Sequence, residues 1–329
     1  MKPIVLSPNQ PPHFYRGGAA IAAFRGISPD GDRVPEDWLA STTERFGDPG
    51  HGPTVLPDGR TLRDAVADDA PAFLGPEHLA RFGADPALLV KLLDVGERLP
   101  VHAHPSRAFA RAHLGSPYGK SEAWLVLAAG DGAHVHVGFR EDVDGGTLAE
   151  WAGHEDADAM LAHLNRVEIA AHDCLYVPAG TPHAIGAGVL ILEVQEPSDL
   201  GVLLEWSRFG LRLGDATMGL ALEEALDCVR RTAVPRDEVA SWGGSELPAA
   251  SRQFFRAEWL RSEPVVPVER GYAVVVAVEG SGRLDTEAGA VDLVRGTVVL
   301  VPYDAGEGEL SGHVTAIRCA PPRPEEAAA

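Results

Sequence analysis

The chain has 329 residues, 45% apolar and 23% charged, which is enough for two domains with hydrophobic cores of their own. A formal net charge of -20 repels nucleic-acid phosphates and anionic lipid, so neither nucleic acid nor membrane is an expected partner. The three cysteines, Cys174, Cys228 and Cys319, form no CxxC and argue against a disulfide framework. The opening MKPIVLSPNQPPHFYRGG has no apolar run of signal-peptide length and no stretch reaches a membrane span, so a soluble, cytoplasmic protein is expected.

In chain order, residues 61–75 and 76–83 carry apolar positions at helical spacing, with Thr61 as N-cap of the first segment. LLVKLLDV (88–95) reads as a buried strand. From Gly96 to Trp206 the texture turns to short strands: VHAH (101–104), EAWLVLAA (122–129) and AHVHVGF (133–139). Residues 147–167 are predicted helical. Residues 167–199 read as strand, turn, strand, turn, strand, with turns marked by Pro178, Gly180, Pro182, Gly186 and Gly188. A helix is predicted over 216–231 and a linker over 241–251. Short β-segments at roughly ten-residue intervals follow over 272–320, the signature of a β-sandwich. The tail PPRPEEAAA is expected to be disordered. Two domains result, a metal-binding catalytic unit over 1–240 with helical segments and a metal-free β-unit over 250–320.

Four residues carry candidate chemistry. His102 and His104 are two apart, so on a strand both imidazoles face the same way. Glu122 opens the next strand, which can bring a carboxylate to the same point. His183 ends the tight turn PAGTPH. Three imidazoles and a carboxylate suit one borderline divalent ion, such as Zn, Mn, Fe, Co or Ni. A second pair, His134 and His136, has no carboxylate and no PxGxxH turn beside it and reads as a decoy. His113, His154, His163 and His172 read as surface or helix residues. A Gly before the first pair, then Glu122, then the PAGTPH turn, is the grammar of the two cupin motifs.

Four further candidate residues follow from local pattern. Lys120 stands two before Glu122 and so faces the same cavity, as an enediolate stabiliser or as an acid/base. Glu193 interrupts the apolar run VLILEVQ, where a carboxylate is expensive unless paired or functional; Gln195 shares its face. Arg208 is the local candidate for an anion contact. Asp199 suits either a sugar hydroxyl or a turn cap.

LLVKLLDV, VHAHP, GKSEAW and YVPAGTPHAIGAGVLILEVQEPSD, in that order, resemble blocks of the type I mannose-6-phosphate isomerases, and EGSGRL with VRGTVVLVP resembles that family's second, metal-free β-domain. The resemblance implies a mainly β fold, a pair of cupin-type jelly-roll sandwiches with helical insertions. It also implies one divalent metal, zinc first, and interconversion of mannose 6-phosphate and fructose 6-phosphate through an enediolate. His104, Glu122 and His183 fall on its metal ligands, and His102 falls where many members have Gln. Lys120, Glu193 and Asp199 fall on pocket residues. Pro100 stands where a serine near the phosphate is usual, and Leu203 near the place of an arginine, with Arg208 a few residues on. Isomerisation of another or an unphosphorylated sugar, sugar binding without catalysis, and a cupin oxygenase stay open at this point, as do the oligomeric state and the identity of the base.

Overall fold

The computed structural model describes residues 1–328, and strand residues outnumber helical ones, 32% to 24%. The expected mainly β architecture is present. A six-stranded antiparallel sheet runs in the order Gly243–Gly244, Cys174–Val177, Glu122–Ala129, Val189–Gln195, Leu89–Val95, Glu36–Leu39. A five-stranded sheet runs Val202–Leu203, His102–Ala103, His183–Ile185, His134–Phe139, Leu164–Glu168. Their inner faces share one core, in which Val135, Val137 and Ile185 meet Leu93, Trp124 and Ile191. The outer face of the five-stranded sheet, with Val101, Ala103 and Ala184, is covered by helices that contribute Phe109, Leu148, Met160 and Leu226. Both faces of this sheet are therefore dry, while its rim stays open to the cavity described below.

The third sheet has seven strands and folds back on itself. Its two long strands, Ala273–Thr286 and Gly308–Ala320, pair antiparallel with a register shift between Ala277 and Glu279. Gly280 allows the bend: its φ is +72°, and a Cβ there would lie 2.0 Å from the His313 carbonyl oxygen. Period two sorts the first strand between two cores. Ala273, Val275 and Ala277 pack inside this sandwich with Leu284, Leu310 and Val314, whereas Val274, Val276 and Val278 pack against the first unit. The sheet also takes in Ile4–Val5 from the other end of the chain, paired with Val299 and Leu300.

Several local expectations change. Thr61 caps its helix as predicted, accepting from Asp64 N, but that helix stops at Asp68 and a new one begins at Ala70. Pro71 lacks the N–H needed to continue, and Asp69 recaps by accepting from Ala72 N. The helix predicted over 216–231 is reduced to Leu213–Ala216 and Leu222–Leu226, because Met218 and Gly219 take left-handed backbone between them (φ 55° and 81°). The 241–251 stretch is not a free linker: Gly243 and Gly244 add an edge strand beside Leu175 and Cys174. The tail is docked rather than disordered through Ala328, whose N–H donates to the Gln253 carbonyl and whose carbonyl accepts from Arg107. Ala329, the last residue of that predicted tail, lies outside the described residues.

Candidate functional site

The paired sheets leave a cavity of about 450 Å³ at one end of the first sandwich, within the range usual for small-molecule sites. His102, His104, Lys120, Glu122, Glu193 and Asp199 all line it. Strand pairing explains the convergence. His102 lies directly opposite His183 on the neighbouring strand, and Glu122 opens the strand that pairs with the one carrying Glu193. The PAGTPH turn is tied to the first His pair as well. Gly180, at φ +85°, donates its N–H to the His104 carbonyl (2.7 Å), a backbone conformation that a side chain would strain.

Each of the three imidazoles is oriented by a main-chain carbonyl. Nδ1 of His102 donates to Pro100 O, Nδ1 of His104 to Leu200 O and Nδ1 of His183 to Thr181 O, all at 2.8 Å. A carbonyl can only accept, so the proton sits on Nδ1 and the Nε2 lone pair is left facing the others. One ligand nitrogen from each ring lies within 4.8 Å of the other two. The Glu122 carboxylate, outside that triangle, touches two of its corners: Oε2 is 3.1 Å from His104 Nε2 and Oε1 is 3.2 Å from His183 Nε2. Acceptor thus faces acceptor. His183 Nε2 is buried without a hydrogen-bond partner, which is the arrangement a cation would satisfy. The donor set, three neutral nitrogens and a carboxylate, fits a divalent ion.

Electrostatics agree with this. Burial, then the neighbouring His183 and His104, push His102 well below the usual imidazole range. Burial and the Lys120 ammonium bring His104 down to about 4. Both rings are therefore neutral at pH 7, the form that ligates metal. Burial alone would raise Glu122, but Lys120 and His104 outweigh it and hold the carboxyl well below its ordinary value. The ammonium of Lys120 lies 2.8 Å from Glu122 Oε2, donates to His104 Nε2 at 3.0 Å, and stands 3.7 Å from Glu193 Oε1. Burial opposes its charge, yet Glu122 and Glu193 win and raise its pKa. Glu193 is pushed up to about 7 by burial, with Lys120 opposing and the Glu122 charge adding to the rise.

The sequence missed a second group of charges on the same floor. Lys91 is buried between Glu36 Oε2 and Asp199 Oδ1, 3.2 Å from each, with its ammonium 4.2 Å from the centre of the Trp38 ring. Glu36 also accepts from Tyr15 Oη (2.8 Å) and Trp38 Nε1 (2.7 Å). Burial would raise its pKa, but His13 and Lys91 hold it well below. A lysine inside LLVKLLDV is legible by the reasoning applied to Glu193; Glu36, Tyr15 and His13 come from a segment without periodicity and gave no signal. Asp199 pairs with Lys91 and ties in a distant loop rather than capping a local turn. It lines the cavity, and it accepts from Phe46 N at 3.1 Å.

Two sequence candidates lie elsewhere. Arg208 is outside the cavity lining, exposed on the turn Ser207–Phe209, with its guanidinium over the Phe209 ring. Gln195 does share a strand face with Glu193, opposite Glu122, but it is not part of the cavity lining: its amide donates to Ser198 O at 2.6 Å. The second HxH pair acquires no third ligand among the described residues.

No protein-family model matches the chain. Among curated proteins it is 26% identical over 311 residues to mannose-6-phosphate isomerase ManA of Bacillus subtilis, covering 92% of this chain and 93% of that protein. It is 29% identical over 252 residues to a mannose-6-phosphate isomerase of Streptococcus mutans, covering 73% and 77%. The crystal structure of mannose 6-phosphate isomerase from Bacillus subtilis superposes with a TM-score of 0.78 at 23% identity, covering 97% of this chain and 99% of that one. A mannose 6-phosphate isomerase bound with zinc and yttrium superposes with a TM-score of 0.75 at 15% identity, covering 98% and 100%. The resemblance seen in the sequence motifs therefore runs along nearly the whole chain, in sequence and in fold.

Proposed function

We propose that this chain is a metal-dependent aldose–ketose isomerase that interconverts mannose 6-phosphate and fructose 6-phosphate. The observation that carries the reading is the convergence of His102, His104, His183 and Glu122 on one point of a cavity that also holds Lys120 and Glu193. The names of its relatives supply the substrate.

His102, His104, His183 and Glu122 hold one divalent ion, with zinc the first choice. The donor set supports it, as does the zinc in a structure of the same fold. When bound, that ion supplies Lewis-acid polarisation of the sugar oxygens. The chain's own side chains do the rest. Isomerisation removes a proton from the carbon beside the carbonyl and returns it to the neighbouring carbon. Glu193, with a pKa of about 7, can take and return that proton near neutral pH. Lys120 stays charged and stabilises the oxyanion as it develops. The Lys91–Glu36–Asp199 network keeps Glu193's neighbourhood fixed and the buried charges paired. The three cysteines are buried and unpaired, which supports a reducing, cytoplasmic setting. Among the described residues no helix is long and apolar enough to cross a membrane.

Zinc-loaded protein is expected to convert fructose 6-phosphate to mannose 6-phosphate, followed by NMR or a coupled assay. No turnover with Zn, Mn, Co or Ni in turn would overturn the reading.

A further inference from the structure

A sugar phosphate brings a dianion into this cavity, and most of the cavity's cations are already committed. Lys91 is held between Glu36 and Asp199, and Lys120 between Glu122 and Glu193. Both lysines are almost wholly buried, and each is shared by two carboxylates that a phosphate would have to displace. Arg208 lies outside the cavity. One fixed cation of the lining differs, namely Arg45, on the loop after the Glu36–Leu39 strand.

Three observations set Arg45 apart. Its guanidinium is partly buried and is engaged at one nitrogen only: Nη1 donates to Asp48 Oδ2 at 3.2 Å, and among the described residues no hydrogen bond uses Nε or Nη2. The fork that matches two phosphate oxygens is therefore still open. Its backbone is fixed. Arg45 N donates to His51 O (2.9 Å), Asp48 N donates to Arg45 O (3.2 Å), and the next residue, Phe46, donates its N–H to Asp199 on the cavity floor (3.1 Å). The loop is thus registered against the site rather than hanging free. Finally, Asp48 has a second partner. Its Oδ1 is 3.0 Å from His51 Nδ1, so Arg45 can leave Asp48 without stranding a lone carboxylate.

We propose that Arg45 is the phosphate anchor of the substrate. It exchanges its contact with Asp48 for the phosphate of the bound sugar, while His51 keeps Asp48. This inference rests on the sugar-phosphate reading above and gives it a specificity-determining residue, one that selects phosphate esters over free sugars.

The test uses zinc-loaded full-length protein, fructose 6-phosphate as substrate and inorganic phosphate as competitive inhibitor. Arg45→Ala is expected to raise both the KM for fructose 6-phosphate and the phosphate inhibition constant about 10- to 100-fold, the scale of lost charge-assisted hydrogen bonds. Bound zinc should be unchanged and kcat should stay within about threefold, because the contact is made equally in ground and transition states. Arg45→Lys should recover part of the loss. Asp48→Asn removes the competitor and is expected to lower both constants about two- to fivefold, the range of an exposed ion pair. A KM and inhibition constant within twofold of wild type in Arg45→Ala would overturn the proposal. If Arg45→Ala does not fold, Asp48→Asn decides: constants unmoved or raised overturn it. If wild type itself turns over no sugar phosphate, the isomerase reading fails. Calorimetric titration of inorganic phosphate into wild type and Arg45→Ala then still decides the anchor, with equal binding, or none to either, overturning it.

Discussion

The chain contains the tripeptide pattern His-x-His twice, and the fold treats the two copies differently. Both pairs lie on or at the end of strands of the same five-stranded sheet, with both rings of each pair on one strand face. In the first pair every imidazole is buried, clamped at Nδ1 by a carbonyl and aimed at His183 and Glu122. In the second, His134 and His136 are half-buried, with ring centres 5.2 Å apart. His134 Nδ1 donates to Gly132 O, while His136 Nδ1 is buried with no partner. Burial, then His134, Arg166 and Arg98, bring His136 down to about 4. His136, like His102 and His104, is therefore neutral at pH 7. The difference lies in what stands opposite: a carboxylate and a third imidazole converge on the first pair, whereas the second faces Glu168 and Arg166, which pair with each other at 3.1 Å. Same-face spacing alone does not distinguish the pairs; a convergent anion and oriented tautomers make the first the candidate.

The largest test of this contrast removes a ligand. His183→Ala or Glu122→Gln is expected to lower turnover of fructose 6-phosphate about 10⁴-fold, matching the several kcal/mol that a Lewis acid contributes. Bound zinc, measured by atomic absorption, should fall with it, and chelation of wild type should do the same. Retained zinc and activity would erase the distinction between the pairs. Lys120→Ala is expected to cost about 10³-fold in kcat with zinc retained, and Lys120→Arg should not restore it because the planar fork does not fit an ammonium site.

Glu193→Gln separates activity from stability. It is expected to lower kcat about 10²-fold by removing the proton carrier. The same change should stabilise the metal-free protein at pH 8. Glu193 titrates at about 7 in the fold against about 4.5 unfolded. Its contribution to stability is thus fully present below about pH 4.5 and is lost as pH rises through about 7. At pH 8 the native state carries a buried charge that glutamine lacks. Removing it should gain about 1–3 kcal/mol, since each tenfold change in proton affinity is worth about 1.36 kcal/mol. A lower midpoint for the variant in urea at pH 8 would contradict this. Smaller still is Gly201→Ala. A Cβ there would lie 3.3 Å from His104 Nδ1 and crowd its bond to Leu200 O, so zinc affinity should fall about tenfold, the scale of disturbing a ligand's outer partner. At the bottom of the scale, His134→Ala and His136→Ala should leave activity and zinc content within about twofold, as substitutions away from a site usually do.

What the sequence revealed follows from which signals are local. His102, His104, Glu122 and His183 were legible because strand period and turn chemistry announce them within a few residues. Lys120 and Glu193 were legible because one adjoins a candidate ligand and the other breaks an apolar run. Lys91 carries the same broken-run signal and was readable in principle. Arg45, His13, Tyr15 and Glu36 reach the cavity only because the N-terminal hundred residues wrap beside the Leu89–Val95 strand, and no window of sequence encodes that path. Arg208 failed as a candidate because proximity along the chain says nothing about which way a turn points. The helix predicted over 216–231 failed for a local reason, the left-handed Met218–Gly219 step.

The pairing of Ile4–Val5 with Val299–Leu300 limits how the molecule can be divided. A fragment starting at residue 250 would lose the strand that covers Val298–Val301 and present an open, valine-rich edge, the geometry that recruits foreign strands. Such a fragment should self-associate when expressed alone. Adding a peptide of residues 1–10 should relieve this by donor-strand complementation, making the first turns of the chain a detachable clasp for a sheet built from its last.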